Sequence, residues 1–102
     1  MAMSYAERVA ADRRLVICRI LNEAPGYKAN SSILKGMLDE IGHSVSRERV
    51  KADLDWMAEM GVVEIEELAI PGLHIVTLTQ RGQDVATGSA QITGIARPSP
   101  SR

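Results

Sequence analysis

The segment Ser46–Val63 constrains the fold more than any other part of the chain, because it joins a capped amphipathic helix directly to a β-branched run. Ser46 is placed to accept a hydrogen bond from the amide of Glu48 or Arg49, and Val45 and Val50 hold the two positions of a hydrophobic staple. Val50, Leu54 and Met57 repeat at helical spacing to give one apolar stripe. Gly61 supplies the left-handed residue that turns the chain out of the helix into Val62 and Val63. Three cations, Arg47, Arg49 and Lys51, crowd the first turns.

The flanking segments follow the same grammar. From Ser4 to Ala24, Val9, Val16, Ile17, Ile20 and Leu21 fall at helical spacing, with Arg8, Arg13, Arg14 and Arg19 largely between them, and Pro25-Gly26 ends the helix. Asn30, Ser31 and Ser32 offer capping oxygens for a second helix, whose expected buried face is Leu34, Met37, Leu38 and Ile41 and which Gly42 closes. The link Gly42 to Val45 is short enough to pack the second and third helices as a helix-turn-helix. Val62–Glu67 and Leu73–Leu78 read as strands joined by Ala69-Ile70-Pro71-Gly72 into a hairpin. Thr79 caps a last short helix that Gly88 stops. The expected fold class is mainly α with a small β-hairpin: a three-helix core, a two-stranded wing and a short C-terminal helix, that is, a winged helix-turn-helix spanning residues 1–88. Residues 89–102, rich in Ser, Gly and Pro, are expected to form a tail pinned by Ile92 and Ile95.

Composition narrows the functional classes. Aromatic residues are 3% of the chain and Phe is absent, so aliphatic side chains and Met must fill the interior, with Trp56 the largest ring. No apolar run approaches the ~18 residues of a membrane span and no signal-peptide organisation is evident, so a cytoplasmic protein with no membrane partner is expected. Cys18 is the lone cysteine, which excludes an intrachain disulfide and a multi-thiolate zinc site. The net charge of -1 argues against indiscriminate coating of nucleic acid. Its distribution is uneven: residues 28–51 hold five cations against three acids, a net +2, whereas residues 52–68 hold six acids (Asp53, Asp55, Glu59, Glu64, Glu66, Glu67) and no cation.

Met57-Ala58-Glu59-Met60-Gly61-Val62-Val63 and Leu78-Thr79-Gln80-Arg81-Gly82 resemble the end of the recognition helix and the phrase after the wing in the ArsR, MarR and PadR groups of bacterial regulators. That resemblance covers roughly residues 10–88 and implies a winged helix more specifically than it implies a function. Ala11-Asp12-Arg13-Arg14-Leu15, Ala29-Asn30-Ser31-Ser32, Val45-Ser46-Arg47, Asp53-Leu54-Asp55-Trp56 and Gly94-Ile95-Ala96-Arg97-Pro98 together resemble small uncharacterised proteins of Mu-like bacteriophages and prophages. Metal sensing, as in part of the ArsR group, is not expected, because Cys18, His43 and His74 lie in three different elements without ligand spacing.

Double-stranded DNA is the expected partner, read in the major groove by the helix within 44–61, as a small phage or prophage transcriptional regulator. Arg47, Arg49 and Lys51 are the contact candidates, with Ser44, Lys35 and His43 reaching backbone phosphate. Against this stand Glu48, Asp53 and Asp55, which can pair with those cations as a solvated face, and a wing segment (64–72) with three acids and no cation. The alternative is a winged-helix protein-interaction or phage assembly module with a phage protein as partner. Trp56, Ile17 and Leu21 are expected as core or dimer anchors, and a homodimer follows because one small module buries little DNA surface. No phosphate loop, nucleophile elbow or catalytic pairing is readable, so neither an enzyme nor a cofactor is expected.

Overall fold

The structure is a computed structural model that describes residues 2–99 of the 102-residue chain. Helix α1 runs Tyr5–Glu23 and opens on a reciprocal capping box, Ser4 Oγ accepting from the Glu7 amide at 3.1 Å while Glu7 Oε1 accepts from the Ser4 amide at 2.9 Å. A single 3-10 turn (Pro25–Tyr27) leads into strand β1 (Lys28–Asn30), then helix α2 (Ser31–Ile41). The α2 cap falls to Asn30, whose Oδ1 accepts from the Ile33 amide at 2.8 Å. Gly42, at φ 105°, turns the chain out of α2, and the His43 amide reaches back to the Leu38 carbonyl at 2.8 Å. Helix α3 (Arg47–Glu59) starts at Ser46, whose Oγ accepts from the Arg49 amide at 3.1 Å. Gly61 ends its exit turn at φ 76°, with the Val62 amide donating to the Met57 carbonyl at 2.9 Å. Strands β2 (Val63–Glu67) and β3 (His74–Leu78) and helix α4 (Gln80–Thr87) complete the order.

Four helices therefore surround a three-stranded antiparallel sheet of order β1-β3-β2. Ile65 pairs with Val76 across the hairpin, and Ala29 pairs with the same Val76 from the other side. The expected two-stranded hairpin gains a third strand because the inner edge of β3 offers unpaired backbone groups that Lys28–Asn30 satisfies. Nothing in Lys-Ala-Asn has strand propensity, so tertiary pairing decides it.

The core unites Ile17, Cys18 and Leu21 of α1, Leu34 and Leu38 of α2, Leu54 and Met57 of α3, Val76 of β3 and Val85 of α4. Ile92 and Ile95 from beyond α4 enter it too. Their segment crosses α1, where the Ala96 amide donates to the Ala11 carbonyl at 3.1 Å. Residues 100–102 of the expected tail lie outside the described residues.

Two expectations need correction. On α2 only Leu34 and Leu38 are buried, while Met37 and Ile41 are 38% and 53% exposed. Helical periodicity says which residues share a side, but a short helix beside only a few neighbours buries one flank of that side. Arg13, expected between the apolar positions of α1, is 4% exposed and lies inside. Its partner explains this: Asp53, 1% exposed, accepts from Arg13 Nε at 2.5 Å and from Arg14 Nε at 3.1 Å.

Cys18 is fully buried, and burial pushes its thiol up to about 12. Labelling of the native protein with a thiol reagent at pH 8 should proceed no faster than global unfolding. Modification within seconds would show that the α1 face opens on its own.

Candidate nucleic-acid interface

The short α2–α3 connection brings together charges that are far apart on an extended chain. Lys35 Nζ lies 2.6 and 2.7 Å from the two carboxylate oxygens of Asp39, one turn along α2, and Ser44 Oγ donates to the same carboxylate at 3.3 Å. The Lys35 hydrogen bond holds the Asp39 carboxyl below the ordinary aspartate range, opposed by partial desolvation and aided by the charges of Lys35 and Arg47 and the Ser44 hydroxyl. Because the folded state depresses this carboxyl, its contribution to stability is present at neutral pH and disappears as pH falls through its folded value.

Lys35, Arg47 and Lys51 line one groove of about 460 Å³ between α2, α3 and the start of β3, floored by Val50 and Leu54 and bordered by Ser31, Gly72 and His74. Ser31 ties the groove wall together by accepting from the His74 amide at 3.1 Å. Lys51 pairs with Asp55, one turn on, at 2.6 Å, and both remain solvated, so this pair is weak and exchangeable. Arg47 and Arg49 are exposed and form no ion pair among the described residues. Arg49 stands on α3 outside the groove lining.

His43 goes elsewhere. Its Nε2 lies 2.7 Å from Asp12 Oδ2, so it fastens the α2–α3 turn to α1. Of the six contact candidates, then, Lys35, Ser44 and Arg47 gather about Asp39, Lys51 joins Lys35 and Arg47 at the groove, and Arg49 and His43 stand apart.

Ile17 and Leu21 are wholly inside the chain's own core. Trp56 is partly buried, its ring capped by the Arg14 guanidinium 4.4 Å from the centroid. Gly94 presses on the same ring, since a Cβ there would fall 2.8 Å from Trp56 Cη2, and the Gly94 carbonyl accepts from Arg14 Nη1 at 3.0 Å. Trp56 thus joins α1, α3 and the 92–96 segment within one chain.

Sequence reasoning missed the Arg13–Asp53–Arg14 cluster, although a signal was present. Arg13 stands four residues before Ile17, and Asp53 three after Val50 and four before Met57, so opposite charges occupy stripe positions on two helices. The acidic block 52–68 consequently presents five acids to solvent, with Asp53 withdrawn. On the hairpin, Glu64, Glu66 and Glu67 are exposed, and Glu67 Oε1 lies 3.7 Å from His74 Nε2. Among the described residues no three His, Cys, Asp or Glu gather to hold a metal ion, and no helix is long and apolar enough to cross a membrane.

No protein-family description matches the chain, and no solved structure matches it. Two proteins do. It is 51% identical over 89 residues to the uncharacterised protein gp26 of Escherichia phage Mu, covering 87% of this chain and 90% of that one. It is 42% identical over 87 residues to an uncharacterised protein of Haemophilus influenzae, covering 85% and 83%. At such identity over nearly the whole of both partners, the chain belongs to the family of phage Mu gp26.

Proposed function

We propose that this protein is a winged helix-turn-helix that binds double-stranded DNA through α3, acting in the cytoplasm as a small regulator in a phage or prophage setting. The element order, with a strand before α2, a tight α2–α3 connection and an antiparallel hairpin after α3, supports the winged-helix reading. The observation that carries DNA binding is the first half of α3, where Arg47 and Arg49 are exposed and make no ion pair among the described residues, Arg47 acting on Asp39 only through its charge, and where Arg47 and Lys51 share a groove with Lys35. The helix N-terminus adds its positive end there.

Asp39 tempers this site, because a phosphate must compete with it for Lys35. DNA affinity should fall steeply with salt, with a slope near -0.9 per phosphate contacted. Arg47→Glu or Lys51→Glu should lower affinity at least about tenfold at fixed salt, and Asp39→Asn should raise it by about threefold or more. Circular dichroism should show all three variants folded. A flat salt response in electrophoretic shift or anisotropy assays, against fragments selected from phage and host genomes, would end the DNA reading.

One observation favours a protein partner instead. The hairpin carries Glu64, Glu66 and Glu67 in the open and ends in Leu68 and Ile70, 37% and 63% exposed, a surface that repels phosphate and suits protein contact. Co-purification of a phage protein that Ile70→Asp abolishes, with no enriched DNA, would favour this reading.

A further inference from the structure

The groove between α2, α3 and the start of β3 offers more than a backbone phosphate can use. Its lining is mostly carbon, with Val50 and Leu54 below and the aliphatic stems of Lys35, Arg47 and Lys51 around the mouth. A volume of about 460 Å³ is that of a small-molecule site, in which a few polar groups orient an otherwise apolar ligand. A phosphodiester lying across the mouth has no apolar group to place inside.

The polar groups at the groove are unequal. Lys35 and Lys51 carry counter-ions of their own, Asp39 and Asp55, each at 2.6 Å. Arg47 is exposed and makes no ion pair among the described residues, so its guanidinium is the cation left to take an anion, and its parallel N–H donors suit a carboxylate. Glu48 shares that rim and repels a second negative charge. At the β3 side His74 is 8% exposed, and its ring makes no hydrogen bond among the described residues. Glu67 Oε1, 3.7 Å from Nε2, lies beyond hydrogen-bond reach. A buried imidazole is normally paired, and this one keeps donor and acceptor capacity at the groove.

The two ends stand apart along α2. The His74 amide is tied to Ser31 at the start of the helix, whereas Arg47 acts on Asp39, eight residues on, which is about 12 Å of helix rise. An extended hydrocarbon advances about 1.25 Å per C–C bond, so a chain of about ten carbons spans that length.

We propose that the groove binds an extended aliphatic monocarboxylate, its carboxylate on Arg47, its chain over Val50 and Leu54, and a polar terminus such as a hydroxyl at His74. Where the DNA reading also holds, ligand and DNA exclude each other, because both need Arg47.

The test is an amide NMR titration of the full chain with 10-hydroxydecanoate, without DNA. Saturable shifts should centre on Val50, Leu54, Gly72 and His74 and spare α4. Decanoate should bind about threefold or more weaker, through loss of the hydroxyl, and 4-hydroxybutyrate at least about thirtyfold weaker, through loss of the buried chain. Arg47→Gln, at an exposed site, should stay folded by circular dichroism and weaken 10-hydroxydecanoate at least about tenfold. His74→Phe should abolish the preference over decanoate. No saturation by about 10 mM, an Arg47→Gln variant that binds as the parent does, or inorganic phosphate binding as tightly would overturn the proposal. So would the same amides shifting on dilution of the protein alone, which would show a second copy in the groove. Because no DNA is present, this titration can fail while the DNA reading stands, and the reverse.

Discussion

Asp53→Ala is expected to destabilise the fold by about 3 to 5 kcal/mol, because it leaves the Arg13 guanidinium buried without its carboxylate. Asp53 is 1% exposed and Arg13 4%, so water cannot replace the lost partner without opening the α1–α3 contact. Arg14 suffers less, since it keeps the Gly94 carbonyl and the face of Trp56. A small domain holds only about 5 to 15 kcal/mol in total, so the variant should show a much lower denaturant midpoint. The double variant Arg13→Met/Asp53→Leu should recover most of the loss, as buried ion pairs contribute little beyond apolar residues of similar size while half-pairs are costly. A single alanine variant within 1 kcal/mol of the parent would show that Arg13 reaches solvent.

Gly82→Ala is the second large effect, with a sign opposite to helix propensity. Gly82 lies in the first turn of α4, where alanine ordinarily stabilises. Here a Cβ would stand 2.3 Å from the Val62 carbonyl oxygen and 2.4 Å from Leu78 Cδ1. Leu78 can give way, but the Val62 carbonyl is held by the Thr79 amide at 3.0 Å, with the Thr79 hydroxyl, whose one proton it shares with the nearer Gly61 carbonyl, also at 3.0 Å. Moving it means moving the junction of α3, β2 and α4, at a cost of about 1 to 3 kcal/mol or more. Thermal unfolding should show the loss, and a variant as stable as the parent would mean that α4 slides freely on the hairpin. Gly36→Ala is the internal control, because the same substitution in open space should stabilise by up to about 1 kcal/mol.

The Leu78-Thr79-Gln80-Arg81-Gly82 phrase acquires a physical meaning from this geometry. Thr79 Oγ1 accepts from the Gly82 amide at 3.0 Å and donates to the Gly61 carbonyl at 2.7 Å, so one hydroxyl caps α4 and fastens it to the exit of α3. Gly82 is the residue that lets the helix sit that close. Only the cap half of this was readable in the chain.

Local chemistry in the sequence determined where elements begin and end: Ser4, Asn30, Ser46 and Thr79 cap the four helices, Gly42, Gly61 and Gly88 stop three of them, and the β-branched runs make the hairpin. These features depend on hydrogen bonds and dihedral angles within a few residues, so no distant partner is needed to read them. Tertiary structure alone decided that Lys28–Asn30 becomes a strand, that Arg13 and Asp53 go inside while Met37 and Ile41 stay out, and that Lys35 joins Arg47 and Lys51 at one groove as His43 turns to Asp12. Each of those outcomes depends on which surface another element covers, and helical period specifies a direction around an axis without specifying what lies in that direction.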